Sequence, residues 1–320
     1  QMHLDLLEEG EAFMEQRKLT LSAIAPFRLE LTVSALRRRE ANRVDRWDAG
    51  QYSRVLVIND IPVEIVAVQE GAGSAPNLSV TLYCQEEIGE RLVESTLSVI
   101  RKMLGLEIDL RQFSKLAAEK APLRELAEEF SGVKPPRFPT LFEALVNAVA
   151  CQQMTLDVGI LLINRLAEKF GIGLAVKGPI HYAFPRPEDL GRAAEADIRG
   201  LGYSAQKARA IRELAGMFAH RPADFIHLDE MTNGEIMRRL TTLHGIGRWS
   251  AEYALLRGLG RLDIFPGDDV GARNNLQRLF HLPNKPDYDQ IKKLTSCWHP
   301  YQGMVYFHLL LEALRRKGVI

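Results

Sequence analysis

The 320 residues of the chain are enough for two domains with substantial cores, and a composition of 46% hydrophobic and 26% charged residues is typical of a globular protein. The 41 basic and 41 acidic residues give a formal net charge of +0, so the overall charge gives no support to a nucleic-acid partner, and any basic surface has to be local. The sequence shows neither a membrane-spanning apolar run nor a recognisable secretory signal, and we therefore expect a cytoplasmic protein.

Cysteine and histidine usage argues against a transition-metal or cluster site. The three cysteines, Cys84, Cys151 and Cys297, are too few for a four-cysteine zinc or iron–sulfur site and too scattered for a disulfide framework. The eight histidines show no metal-binding spacing such as HExxH. We therefore expect no required cofactor and a reducing environment.

Residues 1–108 are predicted to form an N-terminal α/β domain. Segments rich in β-branched residues, partly alternating with polar ones, predict strands at residues 29–33, 52–58, 63–68 and 78–83. Apolar residues at helical spacing predict a helix over residues 86–104. An antiparallel sheet with one helix across a face is the simplest arrangement, and the three arginines at 37–39 are expected to be a solvated strand end rather than a phosphate clamp.

Residues 109–320 are predicted to be almost entirely helical. Helices are predicted at Leu141–Cys151 and Leu156–Phe170. Thr140 is the expected N-cap of the first, and Glu143 lies in its first turn, where a carboxylate complements the helix dipole. The fold class predicted for the whole chain is therefore α+β, with a sheet domain followed by a helical one.

The sequence LHGIGRWSA at residues 243–251 predicts a helical hairpin that spans residues 241–258. One helix is expected to end at the leucine and the next to begin at about Arg248. Gly245 and Gly247 can adopt positive φ, so the chain reverses within a few residues and leaves amide groups unpaired. Such donors can hold a phosphate, although a glycine C-cap followed by a new helix has the same pattern.

Paired carboxylates follow this hairpin. A strand-like segment at residues 262–265 leads through a proline and a glycine to Asp268 and Asp269, at the start of another predicted helix. Taken alone, the pattern is typical of helix capping, with Asp269 accepting hydrogen bonds from the first turn.

The hairpin, the short loop and the aspartate together resemble the helix-hairpin-helix DNA glycosylases. The segments GIGRWSAEYALLRG and FPGDD are most similar to the bacterial 3-methyladenine DNA glycosylase II group. The resemblance implies a helical domain of two lobes with a DNA cleft between them, and an accessory α/β domain before it. It also implies base excision repair of double-stranded DNA, in which a damaged base is rotated out of the duplex. Nothing in the sequence demands more than a monomer.

By this resemblance Asp269 is the catalytic carboxylate as well as a helix cap, and Asp268 is its structural partner. A fixed carboxylate can stabilise the oxocarbenium-like sugar of N-glycosidic cleavage and orient the attacking water. Trp249 occupies the position at which bifunctional relatives carry a lysine, and a tryptophan cannot form a Schiff base. The expected reaction is hydrolysis to an abasic site without strand cleavage.

The resemblance places the damaged base among aromatic side chains. Trp249 and Tyr253 are four residues apart and share one helix face, a spacing that is also typical of core packing. Trp298 or Tyr301 is expected to complete the pocket. Alkylated purines such as 3-methyladenine and 7-methylguanine carry a positive charge in DNA, which an aromatic wall attracts by about 0.5 to 2 kcal/mol.

Contacts to DNA are implied at two places. Gln152 and Gln153, in the connection between the two predicted helices, are candidates for the wedge and for the orphan-base contact, and which glutamine does which stays open. Gly245, Gly247, Arg248 and Ser250 of the hairpin are candidates for phosphate contact. The resemblance also implies Na⁺ or K⁺ at three backbone carbonyls of the hairpin, those of Thr241, Leu243 and Ile246.

Two alternatives remain open from the sequence. The first is an oxidised-base glycosylase related to the 8-oxoguanine group, which the stretches at residues 201–203 and 298–303 would suit but Trp249 does not. The second is a non-catalytic DNA-binding protein that uses the hairpin only for phosphate contact, against which the position of Asp269 argues.

Overall fold

The structure, a computed structural model, describes residues 14–119, 121–176 and 178–320. The expectation that no secretory signal is present concerns the first residues of the chain and lies outside this part. Within the described residues, no helix is both long enough and apolar enough to cross a membrane. The predicted α+β class is confirmed, since an antiparallel sheet precedes a helical region.

The N-terminal region contains one five-stranded antiparallel sheet in the order β1-β5-β4-β3-β2. The strands are β1 (Glu15–Ser22), β2 (Arg46–Asp48), β3 (Gln51–Ile58), β4 (Ile61–Glu70) and β5 (Asn77–Cys84). Strands β3 and β4 form a tight hairpin in which Asn59 and Asp60 have φ of 49° and 66°, as a two-residue turn between twisted strands requires. The three strands predicted within residues 52–83 are therefore confirmed.

The segment at residues 29–33 is a helix, so the strand predicted there is wrong. Helix α1 (Leu29–Arg37) buries Leu29, Leu31 and Val33 together with Thr32, Ala35 and Leu36. The apolar–polar alternation of residues 29–34 imitates a strand, whereas the more exposed polar residues of the helix, Glu30, Ser34 and Arg37, follow the helical spacing. Helix α2 (Glu90–Leu104) ends at Gly105, which has φ of 60°.

The remaining elements are nearly all helical. They are α3 (Arg111–Ala118), α4 (Ala121–Glu129), α5 (Leu141–Cys151), α6 (Leu156–Phe170), β6 (Gly173–Ala175), β7 (Ile180–Tyr182), α7 (Pro187–Gly191), α8 (Glu195–Gly200), α9 (Ala205–His220), α10 (Asn233–Leu240), α11 (Arg248–Arg257), α12 (Val270–Leu279), α13 (Tyr288–Thr295) and α14 (Gln302–Arg316). Short 3₁₀ turns lie at Pro222–Phe225, Leu228–Glu230 and Ser296–Trp298.

Helices α5 and α6 have the predicted bounds, and the hydroxyl of Thr140 accepts a hydrogen bond from the backbone N–H of Glu143 at the start of α5. Helix α10 ends at Leu240, three residues before the predicted end. The strand predicted at residues 262–265 is absent: the segment is a turn followed by irregular backbone. Its Leu262 carbonyl accepts a hydrogen bond of 2.7 Å from the N–H of Gly303, so α14 rather than a sheet holds it.

The sheet and the helices share a hydrophobic core. One buried cluster runs from the sheet and α2 through α5, α6, α9 and α11, and a second joins α3, α4, α12, α13 and α14. Helix α1 contributes to both, through Leu29 and Val33 in the first and Leu31 and Ala35 in the second. The domain boundary at residue 108 stays a prediction, since packing is continuous across it.

A buried ionic cluster joins the sheet to α5. Arg54 on β3 donates to both oxygens of Glu143 at 2.7 and 2.6 Å and to Asp45 at 2.9 Å. Tyr52 donates its hydroxyl to the same Asp45 at 2.8 Å. Glu143 is therefore a buried partner of the sheet in addition to a first-turn carboxylate.

Candidate active site

A cleft of about 1140 Å³ is lined by elements from distant parts of the chain. Its walls come from the α5–α6 loop, from α11, from the first turns of α12 and from one side of α14, and the end of α1 closes its floor. Trp249, Tyr253, Asp268 and Asp269 border it together, so the residues that the sequence places along one stretch meet in one cavity.

The hairpin that leads to this cleft depends on one glycine in particular. Gly245 has φ of 79°, and a Cβ atom there would lie 2.6 Å from the Cβ of Ala210 on α9. The left-handed backbone and the contact with Ala210 both disfavour any other residue at this position. Gly247 has φ of −92° and is extended, with open space around it, so the expectation of positive φ at both glycines is wrong for the second.

Asp269 is held by three donors from three elements. Its Oδ1 accepts a hydrogen bond of 2.8 Å from the N–H of Ala272, which makes it the N-cap of α12. Its Oδ2 accepts hydrogen bonds of 3.2 Å from the indole Nε1 of Trp249 and of 3.2 Å from the hydroxyl of Tyr306. Because a carboxylate offers about four lone-pair positions, the group is fixed in orientation and still has one position for water.

Tyr306 was not identified from the sequence. It lies on α14, in the middle of the helix, and borders the cleft beside Asp269. Burial raises the pKa of its hydroxyl well above the ordinary value, so the group remains a donor at neutral pH. The available signal was the helical spacing of Tyr306, Leu310 and Ala313, all of which line the cleft.

Trp298 and Tyr301 do not border the cleft, which corrects their assignment to the pocket. Trp298 is 1% exposed and packs against Phe280, with ring centroids 5.7 Å apart. Tyr301 packs on Phe113 at 6.0 Å and donates its hydroxyl toward Gln112. The start of α14 faces the second core cluster, so only residues further along the helix reach the cavity.

The aromatic wall consists of Trp249 and Tyr253 of α11. Their ring centroids lie 5.4 Å apart with planes inclined by 35°. Tyr253 is 3% exposed, and its hydroxyl points to the floor of the cleft, where it accepts a hydrogen bond of 2.8 Å from Nη1 of Arg38. Both side chains therefore present faces to a ligand without freedom to move away.

Arg38 overturns the interpretation of residues 37–39 as a solvated strand end. It ends α1 with φ of 62°, a left-handed conformation that costs a residue with a Cβ atom roughly 1 kcal/mol. Its side chain is 4% exposed, reaches the floor of the cleft, and donates from Nη2 to Oδ1 of Asn147 at 2.6 Å. Its neighbour Arg39 lies at the rim and pairs with Asp157 at 2.7 Å.

The two glutamines of the α5–α6 loop have different environments. Gln152 donates from Nε2 to the carbonyl of Gly245 and to the hydroxyl of Ser250, both at 2.8 Å, and so fastens the loop to the hairpin. Gln153 is exposed at the tip of the loop with φ of 53°. Buried Lys207 donates to the carbonyls of Ala150 and Gln152 and caps the end of α5.

A second network braces the loop that carries the aspartates. Arg248 pairs with Asp268 at 2.7 Å and lies 3.7 Å above the ring of Tyr288. The hydroxyl of Tyr288 donates to Glu252 at 2.5 Å, and the other oxygen of Glu252 accepts the N–H of Gly267. Burial raises the pKa of Glu252, and the two hydrogen bonds that its carboxylate accepts oppose that rise.

The cation expected at the hairpin involves Thr241, Leu243 and Ile246, which lie in the turn between α10 and α11. The carbonyl of Leu243 accepts a hydrogen bond of 3.1 Å from the N–H of Ile246, and within the described residues those of Thr241 and Ile246 accept none from the backbone. The turn therefore has oxygen ligands of the kind that Na⁺ or K⁺ prefers, and the site stays a prediction. Among the described residues, no cluster of His, Cys, Asp and Glu side chains is arranged to hold a metal ion.

Part of the chain matches a known protein family, and a longer part is similar to a named protein. Residues 146–300 match the sequence model of a family described as HhH-GPD superfamily base excision DNA repair protein. A protein of Bacillus subtilis named DNA-3-methyladenine glycosylase is 29% identical over 216 residues, which are 68% of this chain and 71% of that protein.

Two solved structures share the fold over nearly the whole chain. A 3-methyladenine DNA-glycosylase from Archaeoglobus fulgidus superposes with a TM-score of 0.81 at 23% identity, over 94% of this chain and 100% of that one. An 8-oxoguanine glycosylase/lyase of Clostridium acetobutylicum, in complex with double-stranded DNA, has a TM-score of 0.73 at 18% identity and covers 95% of this chain and 98% of its own. At these identities the likeness shows a common architecture and leaves the chemistry to the residues of the cleft.

Proposed function

Residues 146–300 form a domain of the HhH-GPD superfamily of base excision DNA repair proteins, and from this premise we propose that the protein is a monofunctional DNA glycosylase that releases alkylated purines from double-stranded DNA. The observation that carries the proposal is the fixed carboxylate of Asp269 beside an aromatic wall. Trp249 belongs to both, because its indole donates to Asp269 and its ring borders the cavity.

The reaction that this arrangement supports is hydrolysis of an N-glycosidic bond. The damaged nucleotide leaves the stack and its base enters the cleft, at a cost of a few kcal/mol that is smallest for damaged pairs. The bond between C1′ and the base nitrogen breaks, and its electron pair leaves with the base. Asp269 stabilises the positive charge that develops on the sugar, water adds to C1′, and the proton of that water passes through the carboxylate to solvent.

Strand cleavage is not expected, because among the described residues Lys317 is the only lysine that lines the cleft, and it lies far from Asp269. Trp249 occupies the α11 position next to Asp269, and an indole cannot form an imine with a sugar. Lys317 also borders the cleft, but it follows the end of α14. It is therefore about 16 Å from Tyr306 along the helix, at about 1.5 Å per residue, which is beyond the reach of its side chain to Asp269.

The duplex is proposed to lie across the mouth of the cleft. The hairpin turn with Gly245 and Gly247 presents amides to one phosphate, and the exposed Gln153 stands where a side chain could fill the space of the extruded base. Arg248 and Ser250 begin α11, and each is engaged within the protein: Arg248 with Asp268, and Ser250 with Gln152. We therefore assign them to shaping the hairpin and Gln153 to the wedge.

The proposal is tested with duplex DNA containing 3-methyladenine or 7-methylguanine. Wild type should release free base and give strand breaks only after alkali, whereas Asp269→Asn should lose activity by at least about 100-fold, as expected when a charge-stabilising carboxylate is removed. Asp268→Asn is the matched control, because it removes the neighbouring carboxylate without touching Oδ1 or Oδ2 of Asp269.

Three outcomes would overturn the proposal, each in a different way. Release of 8-oxoguanine in place of methylated purines would identify the oxidised-base alternative. Tight binding to an abasic-site analogue without release of any base would identify a DNA-binding protein. Strand breaks before alkali would contradict the monofunctional assignment.

A further inference from the structure

Two buried arginines lie next to Tyr253, Arg38 at the floor of the cleft and Arg257 behind the ring. Arg38 contacts Tyr253, Asn147 and the sulfur of Cys151, all of them neutral groups. Arg257, at the end of α11, is completely buried, and its guanidinium carbon is 5.6 Å from the centre of the Tyr253 ring. Its recorded hydrogen bonds are to the carbonyls of Ala35 and Leu36 in α1.

These two cations differ from Arg54, the third buried arginine in the part of the chain that the structure describes. Arg54 is neutralised by Asp45 and Glu143, whereas within the described residues neither Arg38 nor Arg257 forms an ion pair. In the same part of the chain, no partner lies within hydrogen-bonding distance of Nε of Arg38, or of Nε and Nη1 of Arg257. A buried charge without a counter-ion is costly, so the floor of the cleft carries net positive charge at the expense of stability.

We propose that Arg38 is a specificity-determining residue: among the damaged bases that the pocket accepts, alkylated purines included, it raises the release of uncharged bases that carry a hydrogen-bond acceptor relative to that of cationic N-alkylated bases. The proposal rests on the glycosylase activity proposed above and names which damaged bases the same pocket prefers. Arg38 is the residue that carries it, because Arg38 borders the cleft whereas Arg257 lies behind Tyr253 and Phe138.

The positive charge of Arg38 first affects how well a base binds in the cleft. A purine with a positive charge is attracted by the faces of Trp249 and Tyr253, but it must also approach the guanidinium of Arg38 at the floor. Like charges at short range in a site that excludes water repel strongly. An uncharged base meets no such repulsion, and a carbonyl or ring nitrogen on its edge can accept a hydrogen bond at the floor.

The charge acts a second time as the bond breaks. A cationic base takes the electron pair of the glycosidic bond and leaves neutral, so it needs no help. An uncharged base takes the same pair and becomes negative, and a positive group at the floor stabilises that charge in the transition state. Tyr253 can carry the effect, since its oxygen accepts from Arg38 and its own hydrogen remains available to donate to the base.

The test compares two lesions in otherwise identical duplexes, cationic 7-methylguanine and uncharged hypoxanthine. Single-turnover release is measured for wild type, Arg38→Met and Arg38→Lys, with Arg39→Met as the matched control. Arg39 also borders the cleft but pairs with Asp157 at the rim, so Arg39→Met removes one positive charge, and a hydrogen bond to the backbone carbonyl of Arg38, but keeps the Arg38 guanidinium. The readout is the ratio of the two rate constants.

We expect Arg38→Met to raise the ratio of 7-methylguanine to hypoxanthine release by about tenfold, from loss of a short-range charge interaction. Arg38→Lys should retain most of the wild-type ratio, because it keeps the charge, and Arg39→Met should leave the ratio unchanged. An equal loss on both lesions in Arg38→Met would overturn the proposal and leave Arg38 as a buttress for Tyr253. A changed ratio in Arg39→Met alone would overturn it as well.

A second variant, Tyr253→Phe, tests the proposal if Arg38→Met does not fold. Tyr253→Phe keeps the ring and removes the hydroxyl that links Arg38 to the base, so hypoxanthine release should fall by at least about fivefold more than 7-methylguanine release. Equal losses would contradict the proposal. Wild type that releases neither lesion would refute the alkylpurine glycosylase function proposed above, and the inference with it, whereas release of both with unaltered ratios in the variants refutes the inference alone.

Discussion

The hydroxyl of Tyr306 donates to the same oxygen of Asp269 that the indole of Trp249 does, at 3.2 Å in each case. The two donors come from α14 and α11, so the carboxylate at the start of α12 is aligned by both walls of the cleft. A carboxylate held in this way is directed before the base arrives and needs little reorganisation as charge develops on the sugar.

Removal of the Tyr306 hydroxyl should therefore reduce catalysis more than binding. We expect Tyr306→Phe to lower the single-turnover rate by about tenfold, the effect of one lost hydrogen bond to a charged group, with little change in affinity for an abasic-site analogue. Tyr301→Phe is the control, since its hydroxyl faces Gln112 away from the cleft. Equal effects of the two substitutions would show that alignment of Asp269 does not limit the reaction.

The hairpin gives a prediction about stability. Gly245→Ala should destabilise the protein by about 1 to 3 kcal/mol, because the new Cβ would meet Ala210 at 2.6 Å in a left-handed conformation. Gly247→Ala, with extended backbone and open space, should change the free energy of unfolding by less than about 0.5 kcal/mol. Urea titrations of wild type and of the two variants measure these free energies of unfolding. A larger loss of stability in Gly247→Ala than in Gly245→Ala would contradict the prediction.

The loop tip gives a prediction about duplex opening. Gln153→Ala should reduce release from a fully paired duplex by about tenfold and leave release from single-stranded DNA nearly unchanged, because a wedge is needed only where a stack must be broken. Its thermal midpoint should equal that of wild type, since the side chain is exposed. Gln152→Ala should behave differently and lower the midpoint, because it breaks two hydrogen bonds to the hairpin. Equal losses on both DNA forms in Gln153→Ala would argue against a wedge.

His308 gives a prediction about pH. Burial between Phe113 and Phe130 lowers its pKa to about 4, while an unfolded chain takes up the proton near 6.5. The unfolded state therefore binds the proton first as pH falls, and stability is lost between pH 6.5 and about 4, by roughly 3 kcal/mol in total.

The measurement is the free energy of unfolding across this pH range for wild type and His308→Leu. The difference in the free energy of unfolding between the two proteins should change by roughly 3 kcal/mol across this range, since the titration of every other group is common to both. His299→Leu, at an exposed histidine, should run parallel to wild type. A difference that is independent of pH would show that His308 is not kept neutral in the folded state.

Much of the candidate site could be predicted because it is local in the chain. The hairpin, the loop after it and Asp269 lie within thirty residues of each other, so glycine, proline and capping preferences report on their geometry directly. The bounds of α5 and α6 were predictable for the same reason, since a threonine cap precedes each helix and an apolar face follows it.

The parts that could not be predicted depend on contacts across long sequence separations. Arg38 and Tyr253 are hydrogen-bonded from opposite ends of the chain, and nothing near residue 38 shows that α1 ends against α11. The same holds for Tyr306, whose role depends on how α14 crosses α12, and for Trp298, which resembles a pocket residue in its sequence context and packs on Phe280 instead. Periodicity misled at α1, because the apolar–polar alternation of residues 29–34 fits a strand as well as it fits the helix that forms.

The end of α1 also has a consequence for how proteins of this architecture diversify. The floor of the base pocket belongs to the N-terminal segment, while the carboxylate and the aromatic wall belong to the helical region. If Arg38 contributes to lesion preference as proposed, exchange of the first hundred residues between two relatives would change that preference and leave Asp269 in place. Part of the preference and the proposed catalytic group would then be encoded in separate stretches of the gene, which recombination can exchange independently.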